Sequence, residues 1–414
     1  MTFPSMNRRT LLSGTAMAAL GAAGALGLAP GRALALGADA STTLIGAAWR
    51  GPKATDTHYA GVLAADWERK KLSIRYAVAL PSRPHGLLPQ ADGGLLVNCV
   101  RPGTWLLRCD GAGKVMQQIQ LDRDKDAVLL SGHTVPSPDG ATLYTTEINY
   151  RTGRGHIGVR DAATLRKQAE WDSGGIDPHQ PVLDAQGHLL VANGGVLRNL
   201  ADAKYDLQRM ESALVRIDTR TGRIAQRWVL DDPRLSMRHI AWSTSAAADA
   251  SDAPRRLGVA MQAEHEDPAR RAAAPILAVL EGEQLSVPSR VNDGHGYAGD
   301  ITPAYNGGFA VSSNKAGLAQ LWHPSMPDQL TAIVQLQEAY ALTAWAGPQP
   351  GGGVLVATAP GLVRWHPSAK PAFVPWPEPM ALDNHWVLMG LCFQQKHLIS
   401  DLPQTPSLPH PFGL

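Results

Sequence analysis

The chain has 414 residues, of which 44% are hydrophobic and 18% charged, with 41 glycines and 31 prolines, a balance that fits a turn-rich globular protein and excludes a disordered one. Its formal charge of +2 comes from 38 basic and 36 acidic residues with no long run of one sign, which leaves no electrostatic footprint for nucleic acid.

In chain order the first feature is an export signal. Asn7-Arg8-Arg9-Thr10-Leu11-Leu12 precedes a weakly apolar Gly/Ala-rich stretch and then Ala33-Leu34-Ala35, the pattern of a twin-arginine signal with an A-x-A cleavage site. A membrane anchor is the alternative, but glycines at 14, 21, 24 and 27 make a poor spanning helix. Residues 1–40 are therefore expected to be removed, leaving a monomeric periplasmic protein with no membrane span.

From 41 to 400 the chain alternates short β-rich runs with turn clusters and shows no sustained helical period, which predicts an all-β fold. Residues 43–78 carry three strand-like runs, TLIGAAW, HYAGVLAADW and KLSIRYAV. A repeat then begins: RPHGLLP, SGHTVPS, DPHQPVL, MRHIAWS, YAGDITP, EAYALTA and DNHWVLM align, 41 to 60 residues apart. That period is the length of one four-stranded propeller blade with loop insertions. The first six segments each precede a second apolar run, such as GGLLVNCV or GHLLVANG, and most a third, such as TWLLRCD or ALVRID. The seventh has little chain behind it, whereas residues 43–78 lack an opening segment. The expected fold is a seven-bladed β-propeller whose last blade is shared by N- and C-terminal strands, a closure that removes exposed sheet edges. Residues 401–414 form a Pro-rich tail.

The first strand of a propeller blade lines the central channel, so the aligned column of His85, His133, His179, His239, Gly299, Tyr340 and His385 should form a ring around the axis. Five imidazoles facing one space suit iron, copper or zinc better than calcium or magnesium. The alternative is a set of channel residues hydrogen-bonded through water. His295 lies just before the gap at Gly299. A second column at the end of the next strand, Asn98, Glu147, Asn193, Gln262, Asn314 and Thr358, could orient the imidazoles or ligate in its own right; it could equally satisfy buried backbone groups. Arg101 and Arg238, with Arg209 as a weaker candidate, could bring positive charge to the mouth for an anionic ligand or to neutralise Glu147.

Other motifs fall away on context. Gly153-Arg154-Gly155-His156-Ile157-Gly158 matches G-x-G-x-x-G but leads into a strand, so no helix N-terminus is there to hold phosphate. No C-x-x-C-H, G-x-S-x-G or H-E-x-x-H occurs, and His265-Glu266 lacks a second histidine. Cys99 and Cys109 flank a hairpin turn at opposite ends of adjacent strands, too far apart to bridge, and with Cys392 they read as small core residues.

The stretch GHTVPSPDGATLYTTEINYRTGRGHIGVRDA, followed by IDPHQPVL, LLVANGG, LVRIDTRTGRI and LSMRHIAW, resembles an uncharacterised family of twin-arginine-exported bacterial propellers with a fold of the quinoprotein amine dehydrogenase β-chain type. Such proteins are typically encoded beside imelysin-type and di-haem periplasmic proteins in iron-regulated clusters. The resemblance is strongest over 84–262 and places family histidines at His85, His133, His179 and His239, with polar positions at Glu147 and Asn193. It departs at GHTVPS, where the family has a GHG-type run, at Gln180, where an acidic residue is usual, and at VSSNKAGLAQLW, which lacks S-P-R-G-G. It implies a periplasmic accessory role in acquiring iron or another metal, with an imelysin-type or di-haem protein as partner. A redox enzyme with copper or iron in the ring and a scaffold that docks a partner through its blade faces or long loops, such as that at 194–212, are the other two functions compatible with the residues.

Overall fold

The computed structural model describes residues 42–244, 255–288, 292–345 and 352–389. The segments expected to form an export signal and a Pro-rich tail, and Cys392, lie outside the described residues.

Seven four-stranded antiparallel sheets make up the propeller. The innermost strands of blades 1 to 6 are Pro84–Pro89, Val128–Pro136, Pro178–Leu183, Leu235–Trp242, Asp300–Pro303 and Leu342–Trp345. In blade 7 the inner strand is Ala381–Leu388, and it pairs with Thr42–Arg50, which leads outward to His58–Asp66 and Lys71–Ala79. The expected closure by both ends of the chain is what the structure shows. Arg83 reinforces it from blade 1: its Nε and Nη2 donate to Asp383 Oδ2 and Oδ1 of blade 7, both at 2.8 Å.

Each blade passes from fully buried to exposed along the radius, and residue choice follows. The second strands Leu95–Cys99, Leu189–Asn193, Phe309–Ser313 and Gly353–Ala357 are buried at every position, because neighbouring blades cover both faces. They accordingly read as nearly continuous apolar runs. The outer strand Val115–Gln120 is largely exposed and carries three glutamines. Core clusters bridge adjacent blades, as where Trp49 and Leu63 of blade 7 share one with Leu355 and Leu362 of blade 6. Cys99 and Cys109 are buried free thiols, in keeping with their expected place in the core. No helix among the described residues is long and apolar enough to cross a membrane.

Candidate metal centre

A regular strand points alternate side chains at the two neighbouring blades, so it does not aim a side chain down the channel. The inner strands overcome this with bulges. In blade 1 the pairing jumps from Pro84↔Cys99 to Leu87↔Val97, so His85 and Gly86 oppose Asn98 alone. The same jump occurs at Pro178/Pro181 around His179 and at Met237/Ile240 around His239, and in blade 2 Ser131, Gly132 and His133 oppose Thr146 alone. In blade 7 the shift brackets Asp383 to His385. Extra residues in a bulge bend the strand and re-aim a side chain. The inner strand of blade 5, by contrast, pairs without a shift, as does that of blade 6. Those are the two blades whose inner strand carries no histidine.

The five imidazoles converge, with ring centroids 4.3 to 6.1 Å apart for the pairs in contact. Close approach of the inner strands depends on Gly132, which adopts φ +110° and where a Cβ would stand 2.5 Å from His85 Cδ2. The sector without histidine is filled differently: a Cβ on Gly299 would meet the Tyr340 ring at 2.6 Å, so glycine there lets the tyrosine in.

Four of the rings, His85, His133, His239 and His385, each offer a nitrogen within 4.8 Å of the others. Two nitrogens on opposite sides of an ion with bonds of about 2.1 Å lie about 4.2 Å apart. The cluster is slightly wider than a filled coordination sphere, and small ring rotations would close it. The donor chemistry also fits an ion. Both ring nitrogens of His85, Nε2 of His133 and Nδ1 of His239 are buried with no hydrogen-bond partner among the described residues. Leaving such atoms unpaired in a sealed interior costs about 1–3 kcal/mol each. Burial, followed by the neighbouring imidazoles, holds the pKa of His85 and His239 well below the ordinary value; burial and nearby His385 and Arg101 do the same for His133. Neutral rings keep their lone pairs available.

His179 is the fifth ring, and it has other engagements. Arg101 Nη1 lies 3.0 Å from its Nδ1, and its Nε2 lies 2.8 Å from His239 Nε2. A guanidinium can only donate, so His179 Nδ1 accepts and its proton sits on Nε2, which donates to His239.

The remaining sequence candidates disperse. Glu147 is buried, but its oxygens are bound by Arg160 Nη2 at 2.6 Å and Lys167 Nζ at 2.7 Å. Although burial pushes its pKa up, those two cations outweigh it and hold the carboxyl below the ordinary range. Arg101 and Arg238 therefore do not neutralise Glu147. They converge instead on Asp177, with Arg238 Nη1 at 2.6 Å from Oδ2 and Arg101 Nε at 3.7 Å from Oδ1; Arg198 joins them at 3.3 Å. Burial opposes ionisation of Asp177, and Arg238, Arg101 and Arg198 overcome it, holding the carboxyl far below its usual pKa. Asn193 exchanges hydrogen bonds with Ser173, and Gln262 Nε2 donates to the Ala298 carbonyl. Both satisfy neighbouring strands, the alternative open for that column. His295 is exposed in a turn with φ +53°, which removes it from the ring: the left-handed backbone needed for the turn carries its side chain out to solvent.

One residue escaped sequence reading. Asp300 Oδ1 stands 4.0 Å from His239 Nδ1 and 3.7 Å from His385 Nδ1. It directly follows Gly299 in YAGDITP, so a buried carboxylate beside the gap in the histidine column was the available signal.

A family model described as "Protein of unknown function (DUF1513)" matches residues 78–389. No curated protein matches the chain in sequence. Among solved structures, Kuenenia stuttgartiensis hydrazine synthase aligns at 12% identity and TM-score 0.53 over 79% of this chain and 94% of that one. Virginiamycin B lyase from Staphylococcus aureus aligns at 12% identity and TM-score 0.50 over 71% and 85%. At these identities the likeness is one of fold alone.

Proposed function

We propose, taking as premise that the chain belongs to the DUF1513 family, whose description assigns no activity, that the protein binds a transition-metal ion or a metal complex on the propeller axis. His85, His133, His239 and His385 would hold it. The observation that carries this reading is the group of four buried imidazoles within 4.8 Å of one another, with both ring nitrogens of His85 and Nε2 of His133 lacking a hydrogen-bond partner among the described residues. Four imidazole nitrogen donors suit iron, copper or zinc and leave calcium and magnesium without the oxygen ligands they require. The bulges around each histidine support the same reading, since irregular pairing of the innermost strand occurs only in the blades whose inner strand supplies an imidazole.

The twin-arginine pattern at Asn7–Leu12 favours function in the periplasm. There the protein would serve acquisition of iron or another metal, alongside an imelysin-type or di-haem protein. Elemental analysis of protein isolated after export, beside a His133→Ala/His385→Ala variant, tests the binding. Near-stoichiometric metal in the parent and little in the variant is the expected result; equal, negligible metal in both would end the proposal.

A further inference from the structure

The ion site proposed above leaves open which nitrogen of His239 faces the ion, and the contacts around that ring supply an answer. His179 Nε2–H donates to His239 Nε2 over 2.8 Å, because Arg101 occupies the other side of His179. A neutral His239 that accepts at Nε2 carries its proton on Nδ1. That Nδ1 faces Asp300 Oδ1 at 4.0 Å. His385 repeats the arrangement: Asn384 Nδ2 lies 3.3 Å from its Nε2, and its Nδ1 faces the same Asp300 oxygen at 3.7 Å. One carboxylate oxygen thus stands before the Nδ1 atoms of two of the four candidate ligands.

Asp300 is itself fixed. Its Oδ1 accepts from the Ile301 amide and its Oδ2 from the Leu342 amide of the next blade, both at 2.9 Å. The separations to the rings exceed a direct hydrogen bond, and they shorten if the rings turn to close on an ion. Ligating histidines commonly donate their second N–H to a carboxylate, which fixes the tautomer and raises the basicity of the ligating nitrogen.

Resting on the metal-binding reading, we propose that Asp300 is a positioning residue that directs Nε2 of His239 and His385 to the ion, and that His179 covers the His239 lone pair until the ion displaces it. His179 is then a competitor for the site. Its loss and the loss of Asp300 change affinity in opposite directions, a pattern that five equivalent ligands could not give.

Cobalt(II) titration of the full metal-free protein, followed by visible absorption, tests this with the parent, Asp300→Asn and His179→Phe. An amide at 300 must turn its NH2 toward either the Leu342 amide or the ring N–H groups, so one favourable contact is lost. The expected result is affinity about 10- to 100-fold weaker for Asp300→Asn, with a shifted cobalt spectrum that a purely structural role would leave in place. For His179→Phe the expected result is binding about tenfold tighter, the scale of one hydrogen bond no longer broken on loading. Weaker binding by His179→Phe and by His179→Ala would make His179 a ligand and overturn the inference, as would unchanged affinity and spectrum in Asp300→Asn. If Asp300→Asn does not fold, the sign of the His179 effect decides alone. A parent protein that takes up no cobalt while correctly folded would instead remove the ion site, and the inference with it.

Discussion

Arg83 and Asp383 stand 300 residues apart in the chain yet form a two-point ion pair between blades 1 and 7. The Asp383 side chain is only 6% exposed, whereas that of Arg83 is 46% exposed. Truncating the arginine would leave a nearly buried carboxylate without its cation where the ring closes. Arg83→Ala should therefore lower stability by about 1–3 kcal/mol, read from the midpoint of urea unfolding, and Arg83→Lys should restore only part of it because lysine cannot make the paired contact.

Glu147 offers the converse test, since its carboxylate is bound by Arg160 and Lys167. Glu147→Ala would strand the Arg160 side chain, which is 3% exposed, in the blade interior. A loss of about 3–5 kcal/mol is expected, measured by chemical denaturation. Metal content per folded molecule should stay at the parent level, and a fall in it would return Glu147 to the site.

Gly132 combines a left-handed φ with a position at which an added Cβ would stand 2.5 Å from His85 Cδ2. Gly132→Ala should cost about 2 kcal/mol or more from backbone strain and the clash together. Because the clash falls on a candidate ligand, metal affinity should drop in the same variant. A thermal shift without any change in affinity would separate the glycine from the site.

The metal-free protein should lose stability on mild acidification. His85, His133, His179 and His239 have pKa values held well below 6.5, first by burial and then by neighbouring imidazoles or arginines. Below pH 6.5 the unfolded chain takes up protons on these rings and the native one does not, so stability falls as pH drops through the unfolded value. The slope approaches about 1.4 kcal/mol per pH unit for each ring, and stability levels off above roughly pH 7. Bound metal should deepen the dependence, because protons compete with it for the same nitrogens. Denaturation midpoints between pH 5 and 8, with and without metal, provide the check.

The sevenfold repeat was legible because the aligned histidines and the buried second strands recur at blade length. The shared last blade followed from one orphan segment at each end of the propeller. What stayed hidden depended on geometry finer than spacing. The bulges that turn His85 and His179 toward the axis leave no mark in a single sequence. The partners of Glu147, Arg101 and Arg238 could not be read either, because Arg160 and Asp177 meet them across strands or blades. Asp300 lies one residue past the column position held by Gly299, and an aspartate at the start of a strand has many ordinary uses. His295 looked close in sequence, but a left-handed turn separates it from the ring.

The most direct test of an axial metal centre is anomalous diffraction from crystals of the protein grown with cobalt(II) or zinc(II). The account predicts a single strong peak on the propeller axis, about 2.0–2.2 Å from one nitrogen each of His85, His133, His239 and His385, with His179 turned away from His239. An axis without a peak in metal-saturated crystals, or a peak held by other residues, would contradict it.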